Sequence, residues 1–189
     1  MATQSLMSGL GETAPDFTLV DSEGGAWTLN KVAGDRPVLV AFICNHCPYV
    51  VHIADAFAAF ASEYQNKGLA VVAISANDVG AYPQDGPDKM ADFAEAHRFT
   101  FPYLYDESQD VARAYQAVCT PDLYLFDAQR KLAYRGQFDA TRPGRGTPTG
   151  ADLRAAADAV LAGRAPSAEQ APSVGCSIKW KPGKTPAWA

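Results

Sequence analysis

The sequence predicts an α/β protein with a central mixed β-sheet between layers of helices, a three-layer α/β/α arrangement, and three observations carry this. Residues 37–43 (PVLVAFI) and 69–75 (LAVVAIS) are continuously apolar runs of strand length, the signature of strands covered on both faces. Between them, Ile53, Phe57, Phe60, Ala61 and Tyr64 recur at helical spacing over residues 48–67, so strand, helix and strand form a βαβ unit. Downstream, residues 122–126 and 131–138 are strands joined only by Asp127-Ala-Gln-Arg130, which forces antiparallel pairing, and a helix follows.

Taken in order, residues 1–15 are polar and read as an arm. Residues 17–20 and 26–29 alternate as two short strands around Asp21-Ser-Glu-Gly-Gly25, a hairpin signal. Gly68 stops the first long helix, with Lys67 in its last turn favouring the dipole. Residues 79–87 contain Pro83 and Pro87 and are expected to lack regular structure. Asp88 can cap a helix running to about His97, with Met90, Phe93 and Ala94 inward. Residues 101–105 read as an edge strand, a position that tolerates Pro102, and residues 108–117 as a short helix. The last helix spans residues 149–161, with Thr149 and Asp152 at capping-box spacing and Gly163 past its end. The expected division is a domain over residues 1–163 and a Pro-rich tail over 164–189, without periodicity, which Trp180 and Trp188 anchor on or near the domain.

At 189 residues, 48% hydrophobic and 20% charged, the chain suits one domain with a sizeable core. A net charge of −5 without a basic stripe argues against a nucleic acid partner. No run approaches the ~18 apolar residues of a membrane span. The opening MATQSLMSGLGETAPDF has no positive leader followed by an apolar segment, so the expected location is cytoplasmic. Four cysteines in a chain of this length do not make a disulfide scaffold; in a reducing compartment they are catalytic, metal-binding or buried.

Cys44-Asn45-His46-Cys47 carries the chemistry. The pair stands where an apolar strand gives way to a helix, over free backbone N–H groups and the positive helix end, an environment that favours the reactive thiolate. A static bridge across so small a loop would do little for stability. Redox catalysis is therefore the leading role, with Cys44, expected nearer solvent, attacking and Cys47 resolving. His46 is either an exposed polar residue or a tuner of the thiolate. Pro48 fits the first helical turn, where its missing N–H costs nothing. Cys119 is either a small buried hydrophobe or half of a second redox pair with Cys176. Asn77 and Asp78 end the second buried strand at the same sheet edge as the cysteines, as turn and cap or as substrate contacts.

A strand ending in C-x-x-C, a buried strand, and Thr120-Pro121 opening a ββα half resemble the thioredoxin fold. The opening APDFTLVDSEGGAWTL, the FPYLYDES segment, and the strings FICNHCPYV, ISAND, YPQDGPDKM, CTPDLYLFD and GCSIKWKPG resemble its peroxiredoxin-like branch, the alkyl hydroperoxide reductase and thiol-specific antioxidant (AhpC/TSA) group. The resemblance implies that Pro121 is cis and faces the cysteines, with the Thr120 backbone aimed at an incoming substrate chain; Asn45 and Pro48 would flank that substrate. It also likens His46 to the histidine of Cys-Pro-His-Cys enzymes, which stabilises a thiolate. Departures bear on the reaction. Ile43 replaces the tryptophan of thioredoxins, and the strand before the cysteines has no acidic residue. Cys44 fills the slot of the peroxiredoxin Thr or Ser, and Cys119-Thr-Pro stands where its arginine would be.

The function expected is thiol–disulfide exchange by Cys44 and Cys47, with His46 tuning, on a disulfide-bearing protein or small thiol. No bound cofactor or metal is expected, and electrons would come from a reductase or glutathione. The alternatives are a peroxidase with Cys47 attacking peroxide and Cys44 resolving, and a metal-binding module built on Cys44, Cys47 and His46.

Overall fold

The computed structural model describes residues 2–7 and 9–189, so Met1 and Ser8 of the expected arm lie outside the described residues. Among the described residues ten strands and five helices follow one another: β1 (Ala2–Gln4), β2 (Thr18–Asp21), β3 (Ala26–Thr28), α1 (Leu29–Ala33), β4 (Val38–Phe42), α2 (Pro48–Asn66) and β5 (Ala70–Ser75). Then come a 3₁₀ turn (Pro83–Asp85), α3 (Pro87–Ala96), β6 (Tyr103–Tyr105), α4 (Asp110–Ala114), β7 (Cys119–Thr120), β8 (Asp122–Phe126), β9 (Leu132–Gly136), α5 (Ala151–Leu161) and β10 (Val174–Ser177).

Seven strands form the main sheet in the order β3-β2-β6-β5-β4-β8-β9. The central β4 is buried at every position, which its unbroken apolar run requires, and it pairs parallel with β5 and antiparallel with β8. Helices α2, α3 and α5 cover one face through Ile53, Phe57, Phe60, Met90, Leu153 and Ala157. Helices α1 and α4 cover the other through Leu29, Val32 and Ala112. The three-layer arrangement holds.

Several local expectations are corrected. Residues 101–105 form no edge: β6 lies between β2 and β5, and Pro102 sits just before the strand, where its carbonyl still accepts from Ala73 N at 3.0 Å. A proline lacks only the donor, so the ladder closes around it. Residues 79–87 are not structureless, since Pro83 opens the 3₁₀ turn and Pro87 opens α3. The cap of α3 is Gly86 rather than Asp88, because a proline at the first helical position moves the start upstream. The Thr149–Asp152 capping box does not form. Gly150 caps α5 at φ +72°, Asp139 accepts from Thr149 N and Gly150 N, and Asp152 accepts from Gln137 instead.

The largest correction concerns the ends of the chain. The arm and the tail each contribute a short strand, and β10 lies between β1 and β7 in a small antiparallel sheet. Beyond β10 the tail is stitched to the C-terminal edge of the main sheet, where Asn77 Oδ1 accepts from Lys179 N at 2.9 Å and Gln109 Oε1 from Lys181 N at 2.8 Å. Trp180 meets Trp188 edge-on, with ring centroids 6.1 Å apart.

Candidate active site

Strand β4 delivers Cys44 and helix α2 receives Cys47 as its N-cap, with Pro48 exposed in the first turn. Both sulfurs are free thiols and both are enclosed, Cys44 at 1% and Cys47 at 0% exposure, so exposure does not single out Cys44 as the attacking thiol. The Thr120–Pro121 peptide is cis and lies against them. The Thr120 hydroxyl is 3.4 Å from Cys44 Sγ, and in its thiol form Cys47 donates to the Thr120 carbonyl at 3.1 Å.

The two thiols have opposed acidities. Cys47 is held down to about 5, first by the hydrogen bond from the Cys44 thiol and then, against the cost of burial, by the Cys176 thiol and the N–H groups of Cys176 and Val50. Helix α2 adds its positive end. Cys44 is pushed up, first as donor to Cys47, then by burial and by the carboxylate of Asp85. The donors around Cys47 outnumber the single carbonyl against it, so Cys47 is the thiolate of the pair.

Asp85 is the residue that sequence reasoning missed. It stands in the 3₁₀ turn, fully buried, and accepts from Asn45 N (2.8 Å), His46 N (3.3 Å), His46 Nδ1 (2.6 Å) and Asn77 Nδ2 (2.8 Å). Hydrogen bonds to a charged group are worth about 1.5–3 kcal/mol each, which is how a buried carboxylate is tolerated. The carboxylate accepts only, so His46 presents its Nδ1–H to it. The ring stacks on Tyr82 at 5.5 Å.

This arrangement relocates several expected roles. His46 is tied to Asp85 rather than turned wholly to a thiolate. Asn45 is no free substrate contact: its amide donates to Gln84 O and its Oδ1 accepts from the buried Tyr103 hydroxyl at 2.9 Å. Asn77 is a positioning residue that joins Asp85 to the tail. The Thr120 backbone is not open to an incoming chain, because β10 pairs with it, Cys176 opposite Thr120. Cys119 is buried, its thiol pushed well up by burial and by Asp122, and its register partner is Ser177. Successive side chains of a strand point to opposite faces, so Cys119 and Cys176 are on opposite sides of the small sheet and the expected pair is not assembled. Cys176 instead packs against the buried cluster that contains Cys44 and Cys47.

Among the described residues, Cys44, His46 and Asp85 bring possible metal-ligating atoms within 4.8 Å of one another. Both oxygens of Asp85 already accept hydrogen bonds there, from Asn45, His46 and Asn77.

Two buried cysteines of opposed acidity at a helix N-terminus, backed by a cis-proline on a mixed sheet, define an oxidoreductase of thioredoxin-like fold. The AhpC/TSA family model matches residues 10–135, and the chain belongs to that family. It is 50% identical to a hypothetical protein of Sinorhizobium meliloti 1021, over 96% of this chain and 100% of that one, with a TM-score of 0.93. It is 28% identical to the thiol-disulfide oxidoreductase ResA of Geobacillus thermodenitrificans, over 69% of this chain and 70% of ResA. The peroxidoxin BcpB of Mycobacterium tuberculosis is 25% identical, over 82% of this chain and 97% of that one, with a TM-score of 0.61.

Proposed function

We propose that this protein is a thiol–disulfide oxidoreductase in which Cys47 is the entering nucleophile and Cys44 the resolving thiol. The acidity difference within one C-x-x-C carries this reading: one sulfur is ready to attack at neutral pH while its neighbour keeps its proton. Cys47 S⁻ attacks one sulfur of a substrate disulfide, the Cys47–substrate bond forms, and the other half leaves as a thiolate. With Cys47 no longer anionic, two of the influences that hold the Cys44 proton disappear. The hydrogen-bonded His46–Asp85 pair, which stands within 4.8 Å of Cys44 Sγ, is the group placed to accept that proton. Cys44 then attacks the Cys47 sulfur, the second substrate half leaves as a thiol, and the Cys44–Cys47 disulfide holds the two oxidising equivalents.

The substrates are disulfide-bearing or thiol molecules, and the enclosure of both sulfurs favours small ones. A separate reductase or a low-molecular-weight thiol such as glutathione returns the electrons, no bound cofactor takes part, and a reducing cytoplasm suits the cycle. No helix among the described residues is long and apolar enough to cross a membrane.

The enclosure, with Cys47-Pro48 at the helix start, also favours a second reading in which Cys47 attacks a hydroperoxide and Cys44 condenses with the sulfenic acid, releasing water. Thr120 supplies a hydroxyl beside Cys44, but the buried Arg135 is engaged by Gln116, Tyr124 and Asp122. Stopped-flow oxidation of reduced protein by hydrogen peroxide and by oxidised glutathione, with mass mapping of the product, separates the two. Exchange with the disulfide, yielding a Cys44–Cys47 bridge, and oxidation by peroxide at the pace of an ordinary thiol support the first reading. Fast peroxide oxidation that vanishes in Cys47→Ser replaces it with the second.

A further inference from the structure

From the pairing of β10 with Thr120 and the packing of Cys176 against the cluster that contains Cys44 and Cys47, we infer that Cys176 is a third redox-active thiol, which exchanges with the Cys44–Cys47 disulfide to form a Cys47–Cys176 disulfide. This rests on the oxidoreductase reading and names the route by which that site is reduced.

Three observations place the third sulfur. Cys176 stands opposite Thr120 in the antiparallel ladder, and Thr120 is the residue whose carbonyl lies 3.1 Å from Cys47 Sγ. The β10 backbone passes so close that a Cβ built on Gly175 would collide with the Thr120 carbonyl oxygen, so only glycine lets the strand approach this far. Cys176 packs against the buried cluster that contains Cys44 and Cys47, on the side of the ladder from which the Thr120 hydroxyl reaches Cys44 at 3.4 Å. A strand seated on the backbone of Thr120, with a cysteine against the nucleophile, has the geometry of a tethered disulfide substrate.

The step needs no external oxidant. Cys176, as thiolate, attacks the Cys47 sulfur of the Cys44–Cys47 disulfide. The Cys47–Cys176 bond forms, the Cys44–Cys47 bond breaks, and Cys44 leaves as a thiolate that takes up one proton, balancing the one Cys176 lost. Timing is built in. In the reduced protein Cys176 is pushed up to about 11, by burial and then by its hydrogen bond to Cys47 and the charge there. Oxidation of Cys47 removes the last two, while Lys179 continues to favour the Cys176 thiolate. The consequence is access: Cys44, Cys47 and Cys119 are buried, whereas Cys176 is half-buried, so the exchange carries the disulfide to the one sulfur of the four within reach of an external thiol.

The test is peptide mapping of Cys44→Ser after oxidation by glutathione disulfide. The expected product is an internal Cys47–Cys176 bridge with two thiols lost and no glutathione retained. A glutathione adduct that stays on Cys47 while Cys176 remains reduced overturns the proposal. In the otherwise wild-type chain, Cys176→Ser should form the Cys44–Cys47 bridge yet be reduced by glutathione about tenfold more slowly. An unchanged reduction rate also overturns it. Should Cys176→Ser fold poorly, the native protein equilibrated in a glutathione redox buffer and acid-quenched decides the same question: a Cys47–Cys176 peptide supports the relay, and a Cys44–Cys47 peptide alone refutes it. Failure of wild-type protein to form any Cys44–Cys47 bridge would strike the underlying reading instead, while the Cys44→Ser mapping still decides on Cys176.

Discussion

The Cys44 flank and the Cys47 flank of the site are separated by two residues of chain, yet they are built oppositely. Around Cys44 stands a buried acid, Asp85, satisfied by Asn45, His46 and Asn77 and bearing on the sulfur as a negative charge. Around Cys47 stand donors: the helix start, the Val50 and Cys176 N–H groups, and two thiols. A C-x-x-C motif is symmetric as written and asymmetric as folded, because the charge that each sulfur meets comes from elements distant in the chain. That asymmetry, rather than the motif, assigns nucleophile and resolver.

The strongest way to break the comparison is Cys47→Ser. Disulfide turnover should fall on the order of a thousandfold or more, since Cys44 beside Asp85 cannot substitute as thiolate; steady-state assays with a small disulfide measure this. Residual turnover within tenfold of wild type would show the two flanks to be interchangeable.

Asp85→Asn should level the two flanks. Removing the negative charge lowers the acidity barrier of Cys44, and an amide facing several donors loses about 1–3 kcal/mol of stability, read by urea denaturation. Selective alkylation should then label Cys44 at a lower pH than in the wild type. Labelling that does not move would mean that Asp85 is only a strut.

The Cys47 flank has a pH signature. Its folded acidity is raised, so its thiolate persists through neutrality and disappears as pH falls through about 5, and the stability linked to that ionised form is lost over the same descent from the ordinary thiol range. Ultraviolet thiolate absorbance of the reduced protein reports the transition, which should vanish in Cys47→Ser. A midpoint in the ordinary thiol range would erase the proposed asymmetry.

Smaller effects sharpen the picture. Asn77→Ala cuts the tie between Asp85 and the tail, and the loss of one buried and one part-buried hydrogen bond should cost about 1–3 kcal/mol and speed hydrogen exchange in β10. Cys119→Ala should leave the exchange rate within about twofold, because its sulfur faces away from Cys176 and its thiol is pushed far up. A large loss of rate there would restore Cys119 to the redox machinery.

The sequence by itself determined the main sheet and the place of the chemistry. Unbroken apolar runs over β4 and β5 can only be central strands, the stripe from Ile53 to Tyr64 can only be a packed helix, and C-x-x-C at their junction must lie at a helix N-terminus. Thr120-Pro121 was legible as the backing of the site because a proline there matched a known pattern. Tertiary structure alone decided the rest. Asp85 lay in a Pro- and Gly-punctuated segment whose local pattern reads as loop, and only the fold brings it to Asn45 and His46. β10 has four residues, too few for a period, and it becomes a strand because Thr120 and β1 offer it partners on both sides. Hydrophobic periodicity is a property of neighbours in the chain, so it fixes elements. Acidity is a property of neighbours in space, and these arrive only when the tail closes over the site.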